Sequence, residues 1–513
     1  MGPLHLPCFT LANRGERKVF LPCLTIPSGN TMSVSRSSRF PAVLACVLAS
    51  LLLGACATGP TYREPEPAAP RSWQALQPHD GSLGSMRDWW RQFDDPTVAR
   101  LISIAESDSP TLTKAWTRIE KARATLTTER SAGLPSVDGN ASMSRARAQS
   151  LQGGAATTTT RSDGLDAAWE IDLFAKVRRS TEAASARVEA RVADWHDARV
   201  SLAAEVADTY VQYRACGLLA ETYEREQRST AATEKATSAA VSAGFNPPSD
   251  AALARASQAS ATSTLLSQRE QCELLVKSLV ALTGLEEPAL RSLMGNGSRL
   301  PEPSGLEVPS VPANALRQRP DLASLERELA ASSAEIGVAQ ADLYPSLSLS
   351  GSISVSATSG VSSFTAWSFG PALSIPLFDA GRRHAAVDSA QAGYQSALAD
   401  YRQGVRNAVM EVEQALVKLD SIAHRTEQAE HATEDYRNYF RATEANWQAG
   451  GESLITLEEA RRLALSAEIN LITLQRDRVE QWIALYKALG GSWQPGTPAD
   501  SPDTLAEAPR TQQ

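Results

Sequence analysis

The chain repeats itself, and that duplication limits its folds more than any other feature does. Pro110 and Pro135 stand 25 residues apart, and so do Pro320 and Pro345, 210 positions further on. Ala132-Gly133-Leu134-Pro135-Ser136-Val137 is echoed by Ala341-Asp342-Leu343-Tyr344-Pro345-Ser346-Leu347. Leu173-Phe174-Ala175-Lys176-Val177-Arg178-Arg179 is echoed 204 positions later by Leu377-Phe378-Asp379-Ala380-Gly381-Arg382-Arg383. Ala243-Gly244 and Leu282-Thr283-Gly284 return as Ala449-Gly450 and Ala488-Leu489-Gly490, both at an offset of 206. Shared composition would not keep these landmarks in one order at nearly one offset.

Each copy reads alike. A short helix is predicted over 96–131 and 312–342, followed by two strands. A long helix is predicted over 176–243 and 382–449, a Gly-centred turn reverses the chain, and a shorter helix returns over 250–283 and 452–489. The organisation is therefore an upstream segment with a signal (1–55), an N-terminal extension (56–95), repeat 1 (96–300), a Pro-rich linker (301–311), repeat 2 (312–491) and a tail (492–513). The Pro- and Ser-rich stretches 57–85 and 494–513 are expected to be extended or disordered.

The strands carry the clearest local pattern. Leu347, Leu349, Gly351, Ile353 and Val355 alternate with Ser348, Ser350, Ser352 and Ser354. Trp367, Phe369, Leu373, Ile375 and Leu377 share one parity of the next strand. Val137, Gly139, Ala141 and Met143, then Leu165, Ala167, Trp169, Ile171 and Leu173, do the same in repeat 1. Such alternation marks strands with one apolar and one polar face. A half-buried soluble sheet alternates too, but the polar positions here favour serine over lysine and glutamate. That choice suits a wet lumen, with apolar side chains toward lipid and Trp169, Trp367 and Phe369 as membrane-interface aromatics. Four strands cannot close a barrel, since about eight are needed. Three protomers would contribute about twelve.

A helix over 176–243 would reach about 100 Å, far beyond ordinary globular helices. Ala460, Leu463, Ala467, Leu471 and Leu474 step by three and four residues as a coiled-coil seam does.

The N-terminus carries a targeting signal. Arg36 and Arg39 precede an apolar run from Pro41 to Leu53, which ends in Leu53-Gly54-Ala55-Cys56. A basic region, a short apolar core and small residues make a secretory signal peptide. The Leu-Gly-Ala-Cys ending makes it a lipoprotein signal, with Cys56 as the lipidated residue. The run is too short for a transmembrane helix. Residues 1–31 add nothing to this signal, and Met32 is the expected initiator. After it there is no apolar run long enough to span a bilayer as a helix, so strands must make any crossing.

Taken together the chain resembles the TolC-like outer-membrane efflux family, in its lipoprotein (NodT-type) branch. The resemblance rests on Asp88-Trp89-Trp90-Arg91-Gln92-Phe93-Asp94-Asp95-Pro96, on residues 173–179, on Pro376-Leu377-Phe378-Asp379-Ala380-Gly381-Arg382-Arg383, on Ala449-Gly450 and on Ala488-Leu489-Gly490-Gly491. It implies a mainly α fold with some β. It further implies a homotrimer with a shared 12-stranded barrel in the outer membrane and a long helical tunnel in the periplasm. The implied partners are a periplasmic adaptor and an inner-membrane pump of the resistance-nodulation-division class, with outer-membrane lipid around the barrel. The implied work is a passive exit duct for drugs or other small toxic molecules. A type I secretion duct shares the fold, and a lipid-anchored structural coiled coil is the rival from another class.

Some residues are candidates for specific roles. Cys216 and Cys272 each lie 28 residues from Gly244, so an antiparallel hairpin sets them level as a disulfide; two free buried thiols are the alternative. Asp250, Glu452, Glu458 and Glu459 flank the two turns. In related ducts acidic rings at this end close the entrance, and copies around a three-fold axis would repel one another. Asp250 also stands where a helix N-cap is wanted. Nothing resembles an enzyme: no H-E-x-x-H, no paired-Cys metal spacing, no Walker loop and no G-x-S-x-G. No cofactor or metal is expected beyond the covalent lipid on Cys56. The net charge of -8 gives nucleic acid no basic surface to bind.

Overall fold

The computed structural model describes residues 58–66, 74, 75, 90, 93, 95–149, 154–295, 297, 299–301, 316–491 and 493. Cys56, the signal, most of the linker and the C-terminal tail lie outside the described residues. The elements run α1 (Pro96–Ser107), α2 (Pro110–Ser131), β1 (Ser136–Gln149), β2 (Ala155–Ile171), α3 (Lys176–Ser242), α4 (Pro248–Thr283) and α5 (Glu287–Met294). They continue as α6 (Pro320–Ala341), β3 (Ser346–Thr358), β4 (Phe364–Ser374), α7 (Arg382–Gln448) and α8 (Leu454–Ala488).

The long helices α3 and α7 each contain 67 residues, about 100 Å of rod. Their seams change in character along that length. Near the sheet α3 buries Ala183, Ala186, Ala190 and Ala193, and the first two of these pack on Ala330, Ala331 and Ala334 of α6. Small side chains there let the two backbones approach closely. At mid-length Val206, Tyr210, Val211 and their neighbours join α1, α4, α5, α7 and α8 in the main core. Toward the turn the buried residues become Thr222, Thr230, Thr233 and Thr237. Thr222, Thr230 and Thr233 each return a hydroxyl bond to the carbonyl four residues earlier. Thr426 and Thr433 do the same on α7. Polar burial gains less than aliphatic burial, so the turn ends are held more weakly than the middle.

Local chemistry divides the short helices in ways the repeat pattern did not anticipate. The single helix expected over 96–131 is two, because Pro110 cannot donate to the helical ladder and opens a new helix at its first position. Ser109 caps that helix, its hydroxyl accepting from Leu112 N at 3.3 Å. The helix expected over 312–342 is interrupted: Leu316 and Arg317 are helical, Arg319 before the proline is extended (φ -86°, ψ 122°), and α6 starts at Pro320. Helix α5 was not foreseen; it is a short segment ended by Gly295. Of the Trp-Trp-Arg-Gln-Phe-Asp-Asp-Pro stretch, Trp90 and Phe93 pack in the main core. Trp90 meets Tyr486 edge-on at 4.8 Å, Phe93 is buried, and Asp95 accepts from Thr97 N at 2.9 Å and from Tyr210 OH at 2.6 Å.

The four strands form one antiparallel sheet in the order β1-β2-β3-β4. Leu173, Ile375 and Leu377, expected at strand ends, fall just beyond them; after β4, Pro376 cannot donate to a ladder. Strand β2 is longer than expected, because its Thr-rich start, Ala155 to Thr160, pairs with β1.

Cys216 and Cys272 are joined, with Cα atoms 5.5 Å apart, and tie α3 to α4. A crosslink spanning 56 residues removes about 4 kcal/mol of loop entropy from the unfolded chain. The intact mass without reductant is therefore expected to be about 2 Da below the free-thiol value. Reduction is expected to lower the thermal midpoint, and an unchanged midpoint after verified reduction would refute the stabilising role.

Candidate functional site: a two-faced sheet and the turn end of the helices

The strand registers decide what the sheet can face. Leu165 lies opposite Gly139 and Ile353, and Ile353 lies opposite Trp367. One row away Ala167 is opposite Val137 and Gly351, with Phe369 next to Gly351. Trp169, Leu349 and Pro371 make another row, and Ile171, Leu347 and Leu373 the last. All these residues share one parity, so over these rows one face of the sheet is apolar, while toward the hairpin loop the same face carries Arg145, Arg147, Arg161 and Asp163. The other face carries rows such as Asp138, Asp166, Ser352 and Ser368, with a Ser352–Ser368 hydroxyl bond of 2.9 Å. At the far end of the apolar face an Arg161–Asp163 ion pair at 2.9 Å closes the band.

Three aromatics were singled out for this face, and they sit differently. Trp169 is half-buried near the helical end and donates its indole N–H to Gly133 O at 3.0 Å. Trp367 is 78% exposed, two rows nearer the hairpin loops, and Phe369 is 72% exposed between them. Phe369 covers Gly351, where an added Cβ would stand 3.4 Å from the ring. Among the described residues no helix is long and apolar enough to cross a membrane.

At the other end of the rods the two turns have the same construction. Gly244 (φ +82°) and Gly450 (φ +79°) take the left-handed conformation. Phe245 N and Gly451 N reach back to Ala240 O and Asn446 O, both at 2.9 Å, the pattern of a glycine-terminated helix. Asp250 is not the N-cap of α4. That position belongs to Pro247, whose fixed φ suits the helix start, and no side chain caps it. Asp250 lies in the first turn and accepts from Asn246 Nδ2 at 3.2 Å. Ser453 caps α8, accepting from Thr456 N at 3.1 Å, which leaves Glu452 outside the helix.

The acidic candidates do not form one cluster. Glu452 and Glu459 are exposed. Glu458 is bonded to Arg461, so its charge is already matched within the protomer. Arg461 is the residue that sequence reasoning missed. Its side chain is only 5% exposed, Nη2 donates to Thr233 Oγ1 at 2.7 Å, and the guanidinium lies 5.6 Å from the Phe440 ring centre. It therefore joins the second hairpin to α3 of the first. Around it a cavity of roughly 400 Å³ is lined by Arg225, Glu226, Arg437 and Glu468 among others, and Glu468 bonds Arg225. Burial pushes the Glu226 carboxyl up, Arg461 pulls it back and Glu458 adds to the rise. Arg461 Nε and Thr237 Oγ1 are buried without a hydrogen-bond partner among the described residues, a costly state. Closer to the turns Ala254, Leu454 and Leu457 pack together, with Phe440 and Trp447 against them. The signal for Arg461 was present in the sequence, since a charge stands four residues after Leu457 and seven after Leu454 on an apolar seam.

The profile of the outer membrane efflux protein family matches residues 101–285 and 311–491. The chain belongs to this family. It is 28% identical over 463 residues to the toluene efflux pump outer membrane protein TtgI of Pseudomonas putida, covering 87% of this chain and 97% of that protein. It is 29% identical over 451 residues to nodulation protein T of Rhizobium leguminosarum bv. trifolii, covering 86% and 94%. The solved outer-membrane channel OprN superposes with a TM-score of 0.77 at 30% identity, over 86% of this chain and all of that one. The protein is thus an outer-membrane efflux channel, mainly helical with a four-stranded sheet, in a family of ducts rather than enzymes.

Proposed function

We propose that three copies of this chain close a 12-stranded barrel in the outer membrane and a helical tunnel beneath it. The tunnel meets a periplasmic adaptor and a resistance-nodulation-division pump and releases drugs, solvents or other small toxic molecules passively. One observation carries this reading: four registered strands share one apolar face and one serine-rich face, with β1 and β4 left as open edges. A second supports it. At the joint between the repeats Phe174 stacks on Tyr344 with centroids 4.7 Å apart. Their counterparts by repeat position are Phe378, 91% exposed, and Leu134, 65% exposed, which a neighbouring protomer would bring together. Trp169 and Trp367 then stand toward the two margins of the lipid band. Glu452 and Glu459 are the carboxylates free to form a ring at the entrance, and lipid on Cys56 adds a second hold on the membrane. Imaging of the detergent-purified protein by electron microscopy tests the assembly. A three-fold particle about 140 Å long is expected, from about 100 Å of helix plus the membrane. A monomer or a featureless rod would overturn it.

A further inference from the structure

The first described residues of the chain lie in a built slot. Thr58 Oγ1 donates to Phe174 O at 2.7 Å, where β2 gives way to α3. Arg179 of α3, 8% exposed, donates through Nε to Thr58 O at 3.0 Å and through Nη2 to Gly59 O at 3.4 Å. Its Nη1 is held by Glu182 at 2.8 Å. Gly59 (φ +94°) rests on Gly337 of α6 so closely that a Cβ on it would stand 2.4 Å from Gly337 Cα. A Cβ on Gly337 would meet Arg179 Cγ at 2.9 Å. Glycine at both crossings and a buried arginine aimed at two strap carbonyls form an interlock that any side chain would break. Three residues on, Tyr62 bonds the buried Glu326 carboxylate, so the strap runs down the groove between α3 and α6.

The duplication shows how specific this slot is. The repeat counterpart of Gly337 is Thr127, and that of Arg179 is Arg383. Arg383 turns instead to its own Asp379 at 3.0 Å. Only one of the two equivalent junctions has the parts to hold a strap, and each chain supplies one strap.

We infer that this slot is the seat that registers the protein's N-terminal membrane anchor at the sheet–helix junction, which, on the outer-membrane reading above, is the inner margin of the lipid band. Cys56 precedes Thr58 by two residues, a reach of at most about 7 Å of extended chain. A lipid on it therefore enters the bilayer beside the repeat 1–repeat 2 joint of its own protomer. Arg179 is a positioning residue here.

Trypsin treatment of the full-length protein in opened outer-membrane fragments, whose periplasmic face the protease reaches, tests this, because Arg63 lies within the strap. Cleavage after Arg63 is expected to be at least tenfold faster in Arg179→Ala and in Gly59→Val than in the natural protein, with Arg179→Lys between. Gly59→Val alters only the strap, so it answers the question if Arg179→Ala fails to fold; retention of the Cys216–Cys272 disulfide monitors folding. Equal cleavage rates in the natural protein and Gly59→Val would overturn the seat. The cleaved body is expected to stay in the membrane pellet. Its release by carbonate washing would sink the barrel reading instead, and the mass of the freed N-terminal peptide reports acylation separately.

Discussion

Phe369→Arg is expected to abolish assembly in the outer membrane, while Ser368→Arg, one residue away, leaves it nearly intact. Phe369 lies opposite Gly351 on the apolar face, in the row midway between those of Trp169 and Trp367. Ser368 lies opposite Ser352 on the polar one. An arginine facing lipid near the bilayer midplane costs about 2–4 kcal/mol in a barrel. A three-fold assembly bears that cost three times, roughly 6–12 kcal/mol, which approaches the whole stability of an ordinary domain. A lumen-facing arginine stays hydrated and costs little. The readout is the heat-modifiable oligomer in the outer-membrane fraction. Loss with Ser368→Arg and survival with Phe369→Arg would invert the faces, and equal behaviour of both would take the sheet out of the bilayer.

Arg461→Ala is expected to open the turn end. The substitution removes the bond to Thr233, the pair with Glu458 and the contact with Phe440 in one step. Breaking a buried pair by deleting one partner costs about 3–5 kcal/mol. The low end applies here, because Glu458 is 19% exposed and can turn toward water. Glu226 also loses the cation that holds its carboxyl down. The surrounding seam is threonine and offers little compensating apolar burial. Larger single-channel conductance in planar bilayers is expected, with an intermediate value for Arg461→Lys, which keeps the charge but not the planar fork. Unchanged conductance with a lowered urea midpoint would make Arg461 a structural staple only. Glu459→Ala separates the two ideas at this end. Glu459 is exposed and stands outside the Arg461 joint, so a rise in conductance on its removal reports the proposed acidic ring rather than the hairpin joint.

The structure departs from the sequence reading in places that share a cause. Pro110 divides a helix that the repeat pattern ran together, because the offset between copies says nothing about ladder donors. Asp250 looked like a cap by residue type alone, but the cap is the residue whose φ and ψ leave the helix, and that is Pro247. Glu458 fits an acidic ring by residue type, but its charge is matched by the buried Arg461 three residues along.

What the sequence determined alone was everything periodic or evenly spaced. That covers the two copies, the long rods within one residue of their ends, the parity of each strand and the equal arms that set Cys216 beside Cys272. These follow from intervals of two, three and four residues along one chain, which backbone geometry fixes locally. What the tertiary structure decided was which distant faces meet: Arg461 with Thr233, Arg179 with the carbonyls of Thr58 and Gly59, Phe174 with Tyr344. Over 67 residues a helix drifts by about 20° per heptad relative to a strict seam. The face it shows a neighbour therefore depends on how the rods supercoil together, and no local interval records that phase.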